Sequence, residues 1–228
     1  MKEDSAIIAR WWAALLSPDR AGRIILRSTP IDGFDLAIVA FVCVMYCGYG
    51  VSMGIPRGIF AGVVSGFKLP FLYLLTLAVC FPPFYVLNNA LGPRVRPVAC
   101  LRLLLFATSA NAVAIVSYAP VSYFFTFTTS SSAMSGYRFL VGMHVVVFAI
   151  AGILSVLVIH VLFRATASQL ERPMRPMFLF VFGGVYAFVG TQMSWVLRPW
   201  IGSWAIDYQP FRAIEGSFIE SIFRLVSI

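Results

Sequence analysis

The sequence predicts an all-α polytopic membrane bundle of about five transmembrane helices, with interfacial amphipathic helices at both termini. Apolar residues make up 60% of the 228 residues and charged residues only 11%, whereas soluble domains contain about 45–50% and about 25% of these classes. Five segments carry the roughly 20 mostly apolar residues that one bilayer span needs. Basic residues, which give a net charge of +8, lie mostly between these segments.

The apolar segments divide the chain into three parts. Residues 1–34 are expected to form a cytoplasmic interfacial helix region, 35–199 the transmembrane bundle, and 200–228 an aromatic and amphipathic tail. The predicted spans are about 36–53, 69–91, 98–125, 139–163 and 177–197. Because no long polar segment separates them, nearly the whole chain is expected to lie in or on the membrane.

Lysine and arginine are distributed unevenly between the alternate flanks of these spans. The N-terminal flank and those on its side of the membrane hold five, three and three of these residues, and the opposite flanks hold two, one and three. Short flanks that are rich in Lys and Arg stay in the cytoplasm. The distribution therefore predicts a cytoplasmic N-terminus and a C-terminus on the other side.

An amphipathic helix is predicted at residues 5–16, where the bulky apolar side chains share one helical face. It carries Trp11 and Trp12, and a basic stripe follows it, formed by Arg20, Arg23 and Arg27. A basic amphipathic segment with tryptophans typically lies in the headgroup plane, so these five side chains are predicted to contact the membrane surface. Packing of the same apolar face on a partner helix is the alternative.

Five glycines recur at every fourth position around the end of the first predicted span: Gly50, Gly54, Gly58, Gly62 and Gly66. Small residues let helices approach closely in lipid, where van der Waals contact holds helices together. The ladder predicts a face on which helices pack closely. Packing against another helix of the same chain is favoured over packing against another copy. Pro56 interrupts it, and residues 57–67 are predicted to form a short half-buried or re-entrant helix. A loop with incidental glycines is the third alternative.

Polar side chains inside or beside the predicted spans are candidates for a pore, because such groups are costly at membrane depth. They are Asn88, Asn111, Gln192, Thr126, Thr128 and Thr129, the last three from a hydroxyl-rich stretch at 126–132. Each could instead make a structural hydrogen bond between helices, which is the commoner case. His144 and His160 lie about 24 Å apart on one predicted helix and point to nearly opposite faces, so they cannot share a ligand.

Motifs for catalysis and for cofactor binding are missing from the sequence. It contains no HExxH, no GxSxG and no Gly-rich phosphate loop, and its four cysteines have neither CxxC spacing nor a complementary His or carboxylate. We therefore expect no enzymatic activity, no cofactor and no metal. Since the basic residues flank apolar spans, the expected partner of the positive charge is the membrane surface and not nucleic acid.

Three stretches resemble a bacterial family of small polytopic membrane proteins that are loosely labelled Yip-type. They are KLPFLYLLTLAVCFPPFYVLNNALG at 68–92, APVSYFFTFTTSSS at 119–132 and GTQMSWVLRPWIGS at 190–203, and FRAIEGSFIE at 211–220 fits the same pattern. The resemblance covers most of residues 68–220. It implies a multi-span protein of the bacterial inner membrane without an established activity.

Two functional hypotheses follow. The first is a non-catalytic protein that organises the membrane or serves as a helical subunit of a larger assembly, in contact with the lipid bilayer and with itself or other membrane subunits. The second is a homo-oligomeric ion or small-solute channel lined by the polar candidates. A pore-lining stripe should be polar over a full span, and no predicted span shows one. This observation favours the first hypothesis.

Overall fold

The computed structural model describes residues 2–91, 94–129, 134–166, 176–198, 200, 201, 209 and 210. These residues form helices and short connections, with no strand among them. The helices are α1 Lys2–Leu15, α2 Pro18–Leu26, α3 Gly33–Gly54, α4 Ile59–Leu91, α5 Pro97–Ser117, α6 Ala119–Thr128, α7 Met134–Thr166 and α8 Pro176–Val196. The all-α fold class is thus confirmed, whereas the predicted C-terminal helix lies outside the described residues.

Five helical segments are long and apolar enough to cross a membrane. They are Gly33–Arg57, Ile59–Ala90, Pro97–Thr128, Gly136–Ala165 and Met177–Val196. The chain is therefore a multi-pass membrane protein. Contacts between the helices show that successive segments run in opposite directions: Asp35 meets Arg102 near the starts of α3 and α5, and Tyr49, near the end of α3, meets His144 in the first part of α7. We call the end of the bundle where α3 and α5 begin the near end, and the end where α4 and α7 begin the far end.

Local sequence explains where several of these helices begin. Asp32 caps α3, because its carboxylate accepts a hydrogen bond from the backbone N–H of Asp35 while the carboxylate of Asp35 accepts one from the N–H of Asp32, both at 3.2 Å. This reciprocal capping box satisfies two backbone donors that have no partner within the helix. Prolines stand in the first turns of α2, α5 and α6, where their missing N–H costs nothing.

The second span differs from the prediction. Residues 57–67 form no separate re-entrant helix, since α4 begins at Ile59 and continues without interruption to Leu91. Lys68 does not end the helix, because this side chain is buried and its ammonium donates a hydrogen bond to the carbonyl of Pro210. The turn before α4 uses Gly58, whose φ of 116° is a conformation that favours glycine.

The glycine ladder lies at the contact between α3 and α4. A Cβ atom on Gly50 would lie 2.9 Å from the Cα of Gly66, and one on Gly54 would lie 2.7 Å from the carbonyl carbon of Ala61. At Gly66 the nearest atom would be Val51 Cγ2 at 2.9 Å. The two backbones therefore meet where three of the five glycines stand. Gly62 would gain only an ordinary contact, at 3.5 Å from Ile55, and Gly58 faces open space.

Burial differs strongly between the spans. The most apolar window of the α5–α6 segment is 72% buried, whereas that of α8 is 11% buried. Helix α5 packs against α3, α4 and α7, and α8 packs mainly against α4. The centre of the bundle is therefore α5, and α8 is held along one side at the periphery.

The N-terminal helices pack onto the bundle, and two predicted surface residues differ from expectation. Trp11 is buried, with its ring 4.6 Å from that of Phe41 on α3, whereas Trp12 is 44% exposed. Arg27 is half-buried and bonded to Asp32, while Arg20 and Arg23 are exposed. The apolar face of α1 therefore covers protein at Trp11, because α3 offers an aromatic surface there.

Candidate functional site

A buried ion pair joins α3 to α5 at the near end. The guanidinium of Arg102, only 1% exposed, donates to both carboxylate oxygens of Asp35 at distances between 2.9 and 3.1 Å. It also donates to the backbone carbonyls of Arg27, Thr29 and Pro30. Every nitrogen of this side chain thus has an acceptor, which is the condition under which a charge tolerates burial.

The ion pair anchors the connection between α2 and α3. Arg27 adds a second cation, whose Nη2 lies 2.8 Å from Asp32 and 3.3 Å from Asp35. The pKa of the Asp32 carboxyl lies below its ordinary value, because burial, which raises it, is outweighed by the hydrogen bond from the Asp35 N–H and by the charge of Arg27. The two aspartates and two arginines form a neutral set with a structural role.

Deeper in the bundle, α3 presents a tyrosine to a polar patch on α5. The hydroxyl of Tyr46 donates to Asn111 Oδ1 at 2.9 Å and lies 3.2 Å from the carbonyl oxygen of Thr108. Its ring stacks on that of Tyr73 from α4, with centroids 4.0 Å apart. Asn111 is therefore engaged by a hydrogen bond within the chain, at the junction of three helices.

One helical turn further along α3, a second tyrosine reaches α7. The hydroxyl of Tyr49 lies 2.8 Å from His144 Nδ1, and the two rings meet edge to face. Ser122 of α6 places its hydroxyl beside that of Tyr49. All three side chains are buried. The cluster of Ser122, Tyr49 and His144, which we call the far-end relay, brings together three exchangeable groups from three helices.

The other pore candidates are spread over the bundle. Asn88 is buried on α4 and its amide lies 3.8 Å from the sulfur of Cys100. Thr126 is buried on α6, and the hydroxyl of Thr128 bonds back to the carbonyl of Phe124. Thr129 and Gln192 are half-buried. The six candidates thus lie on four helices, α4, α5, α6 and α8, or directly after α6. The structure does not align them along one helix face.

A small cavity lies between α4, α5, α7 and α8. Its polar lining consists of Thr108, Ser155 and Tyr186, and the other lining residues are apolar or glycine. The hydroxyls of Thr108 and Ser155 bond to the carbonyls of the preceding helical turn, at Leu104 and Ala151. The hydroxyl protons of Thr108 and Ser155 are therefore already engaged within their own helices.

Several residues of these clusters were not predicted from the sequence, among them Ser122 and Tyr73. Tyr46 and Tyr49 look like ordinary aromatic residues of a span, although their i, i+3 spacing places them on neighbouring parts of one face. Arg102 and Asp35 look like flanking charges. The position of Arg102 could have identified the ion pair, because this residue stands inside the third apolar segment and a charge at such a place needs a partner.

Comparison with known proteins gives no match for this chain among protein-family models, curated proteins or solved structures. The resemblance to Yip-type proteins stays a prediction.

Proposed function

We propose that the chain is a non-catalytic protein of the bacterial inner membrane that organises the membrane as a helical subunit of a larger assembly, with its N-terminus in the cytoplasm. The observation that carries this proposal is the exposure of α8, whose most apolar window is 11% buried. A span held along one side leaves most of its surface for lipid or for another helix. The orientation is supported by the excess of Lys and Arg on the N-terminal side.

The exposed face of α8 has a shape that suits helix association. Phe180, which is 86% exposed, and Phe188 stand four residues before and after Gly184, on one helical face. A Cβ on Gly184 would have no neighbour within 4 Å. A small residue between two large ones forms a notch where a second helix can approach closely. We infer that a second copy of the chain packs there.

The hydrogen bonds in the interior of the bundle favour a role in assembly over a role as a channel. Asn111 is bonded to Tyr46 and His144 to Tyr49, so two central polar groups are engaged inside one chain. A solute path along these polar groups would have to break both contacts. A channel would then have to form between copies, along apolar outer faces.

Cysteine crosslinking tests the assembly. Phe180→Cys and Phe188→Cys, each in a background without the four native cysteines, should give disulfide-linked dimers in native membranes. Val44→Cys on α3 is the matched control, since this residue is 69% exposed on another span, and it should give none. A monomeric native mass in detergent, together with equal crosslinking at all three sites, would contradict the proposal. Solute flux in liposomes that Asn111→Ala abolishes would favour the channel instead.

A further inference from the structure

The far-end relay contains a hydroxyl without a good partner. Ser122 is 1% exposed, yet its oxygen makes no hydrogen bond of good geometry with any residue that the structure describes. It faces the phenol oxygen of Tyr49. Buried polar groups nearly always find a partner, so this hydroxyl is the member of the far-end relay that is placed to make a further hydrogen bond with the phenol of Tyr49.

The neighbouring pair has the geometry for proton exchange. Tyr49 and His144 are as deeply buried as Ser122, and 2.8 Å separates the phenol oxygen from Nδ1. His144 stands ten residues after the start of α7, about 15 Å along the helix axis. Of the three side chains in the cluster, the imidazole is the one whose ordinary pKa lies closest to physiological pH.

We propose that Ser122, Tyr49 and His144 form a proton-binding site that is reached from the far end of the bundle. A proton arriving at the oxygen of Ser122 releases the hydroxyl proton of Ser122 to Tyr49. The phenol proton of Tyr49 passes in turn to Nδ1 of His144. The product is an imidazolium with both hydroxyls neutral, so that one proton has entered and one positive charge remains. This site is independent of the assembly on α8.

The surroundings of His144 indicate how binding of a proton would affect helix packing. The titratable groups near the cluster are phenols, Tyr49 from α3 and Tyr118 at the junction of α5 and α6. Arg138 precedes His144 on α7 but is exposed, and α2 and α8 contribute no charged side chain bonded to His144 within the described residues. Among the described residues, no carboxylate is bonded to an imidazolium at this place. Protonation should therefore loosen the contact between α3 and α7.

Nitrogen-15 NMR of the full-length chain in lipid nanodiscs tests the site directly. The chain has two histidines, so His160→Gln leaves His144 as the only histidine signal. At about pH 8 we expect an imidazole with its proton on Nε2 and a hydrogen-bonded, unprotonated Nδ1. On titration to about pH 4 we expect one transition to the imidazolium. An imidazole that stays neutral throughout, or one whose Nδ1 carries the proton at pH 8, would overturn the proposal.

Two conservative variants separate a proton relay from a structural hydrogen bond. Tyr49→Phe keeps the ring and should move the titration midpoint of His144 upward by at least about one pH unit, because the phenol no longer favours the neutral ring. Ser122→Ala should slow proton exchange at His144 about tenfold or more while the midpoint changes little. Equal exchange rates with and without the Ser122 hydroxyl would exclude this route of entry.

The same measurement has an internal control. His144→Gln leaves only His160, which lies on the same helix and is half-buried. Neither Tyr49→Phe nor Ser122→Ala should alter its titration. If either relay variant failed to fold, the tautomer and the titration of the His160→Gln protein would still decide whether His144 binds a proton.

Discussion

Arg102 and Asp35, 67 residues apart along the chain, form a bidentate ion pair at the near end of the bundle, with the shortest distance at 2.9 Å. Both side chains are almost fully buried. The pair joins α3 to α5, and the additional bonds from Arg102 to three backbone carbonyls hold the link to α2. This one guanidinium therefore ties the connection between α2 and α3 to α5.

Removing that guanidinium should strongly destabilise the fold. Arg102→Leu leaves the Asp35 carboxylate buried with Arg27 as its only cation in contact, and such a loss costs about 3–5 kcal/mol. Thermal unfolding in detergent should show a much lower melting temperature. The double variant Arg102→Leu with Asp35→Leu should recover part of the loss, because no single buried charge remains. Arg23→Gln at an exposed position is the control, and equal melting of Arg102→Leu and Arg23→Gln would contradict the assignment.

The glycines of the ladder should differ in their tolerance of a side chain. Gly54→Ala places a Cβ against the backbone of Ala61 and must separate α3 from α4, at a cost of about 1–3 kcal/mol. Gly62→Ala gains only a contact at 3.5 Å and should melt like the wild type. Thermal melting and native mass together check this prediction. A lower melting temperature with unchanged mass is expected, because the contact lies within one chain.

The two adjacent tryptophans should also behave differently. Trp11→Ala removes a buried ring from its contact with Phe41, and truncation of a buried aromatic residue costs about 3–5 kcal/mol. Trp12→Ala removes a ring that is 44% exposed and should change stability little. Limited proteolysis would detect release of α1 in the first variant only. Equal protease resistance of the two variants would show that α1 is not docked as described.

Topology can be checked at positions on described helices and turns. Ser28 and Arg96 lie at the near end, and Thr128 lies at the far end; all three are exposed. In a cysteine-free background, single cysteines at the first two positions should react with an impermeant maleimide from the cytoplasmic side, and a cysteine at position 128 from the opposite side. Labelling of all three from one side would contradict five membrane crossings.

Acid should lower the stability of the fold by protonating Asp32 at the near end. The pKa of this carboxyl is below its ordinary value of 3.8, with the cap at Asp35 and the Arg27 charge outweighing burial. A carboxyl whose pKa is lowered by folding stabilises the native state above its ordinary pKa, and this contribution is lost as the pH falls through the lowered value. Asp32→Asn should therefore reduce stability at pH 7 and show a smaller further loss toward about pH 3. Parallel melting curves for both proteins would contradict this linkage.

The sequence by itself determined the class of the molecule and most of its elements. Hydropathy is a local property, so a run of apolar residues identifies a span whatever lies beside it. The cap at Asp32 and the proline starts of helices, which the structure shows, are local in the same way, because they depend only on the first helical turn. The predicted second span starts ten residues late, because the acceptor that lets Lys68 lie buried inside α4 is the carbonyl of Pro210, far away in sequence.

Only the tertiary structure decided which faces meet. The ladder is equally regular at Gly50 and Gly62, yet the close approach occurs at the first and not at the second. The partners of Asn111, His144 and Arg102 come from α3, and they lie between 65 and 95 residues away along the chain. Such pairs form because packing brings two helices together at one register. Neither composition nor spacing within a single helix records that register.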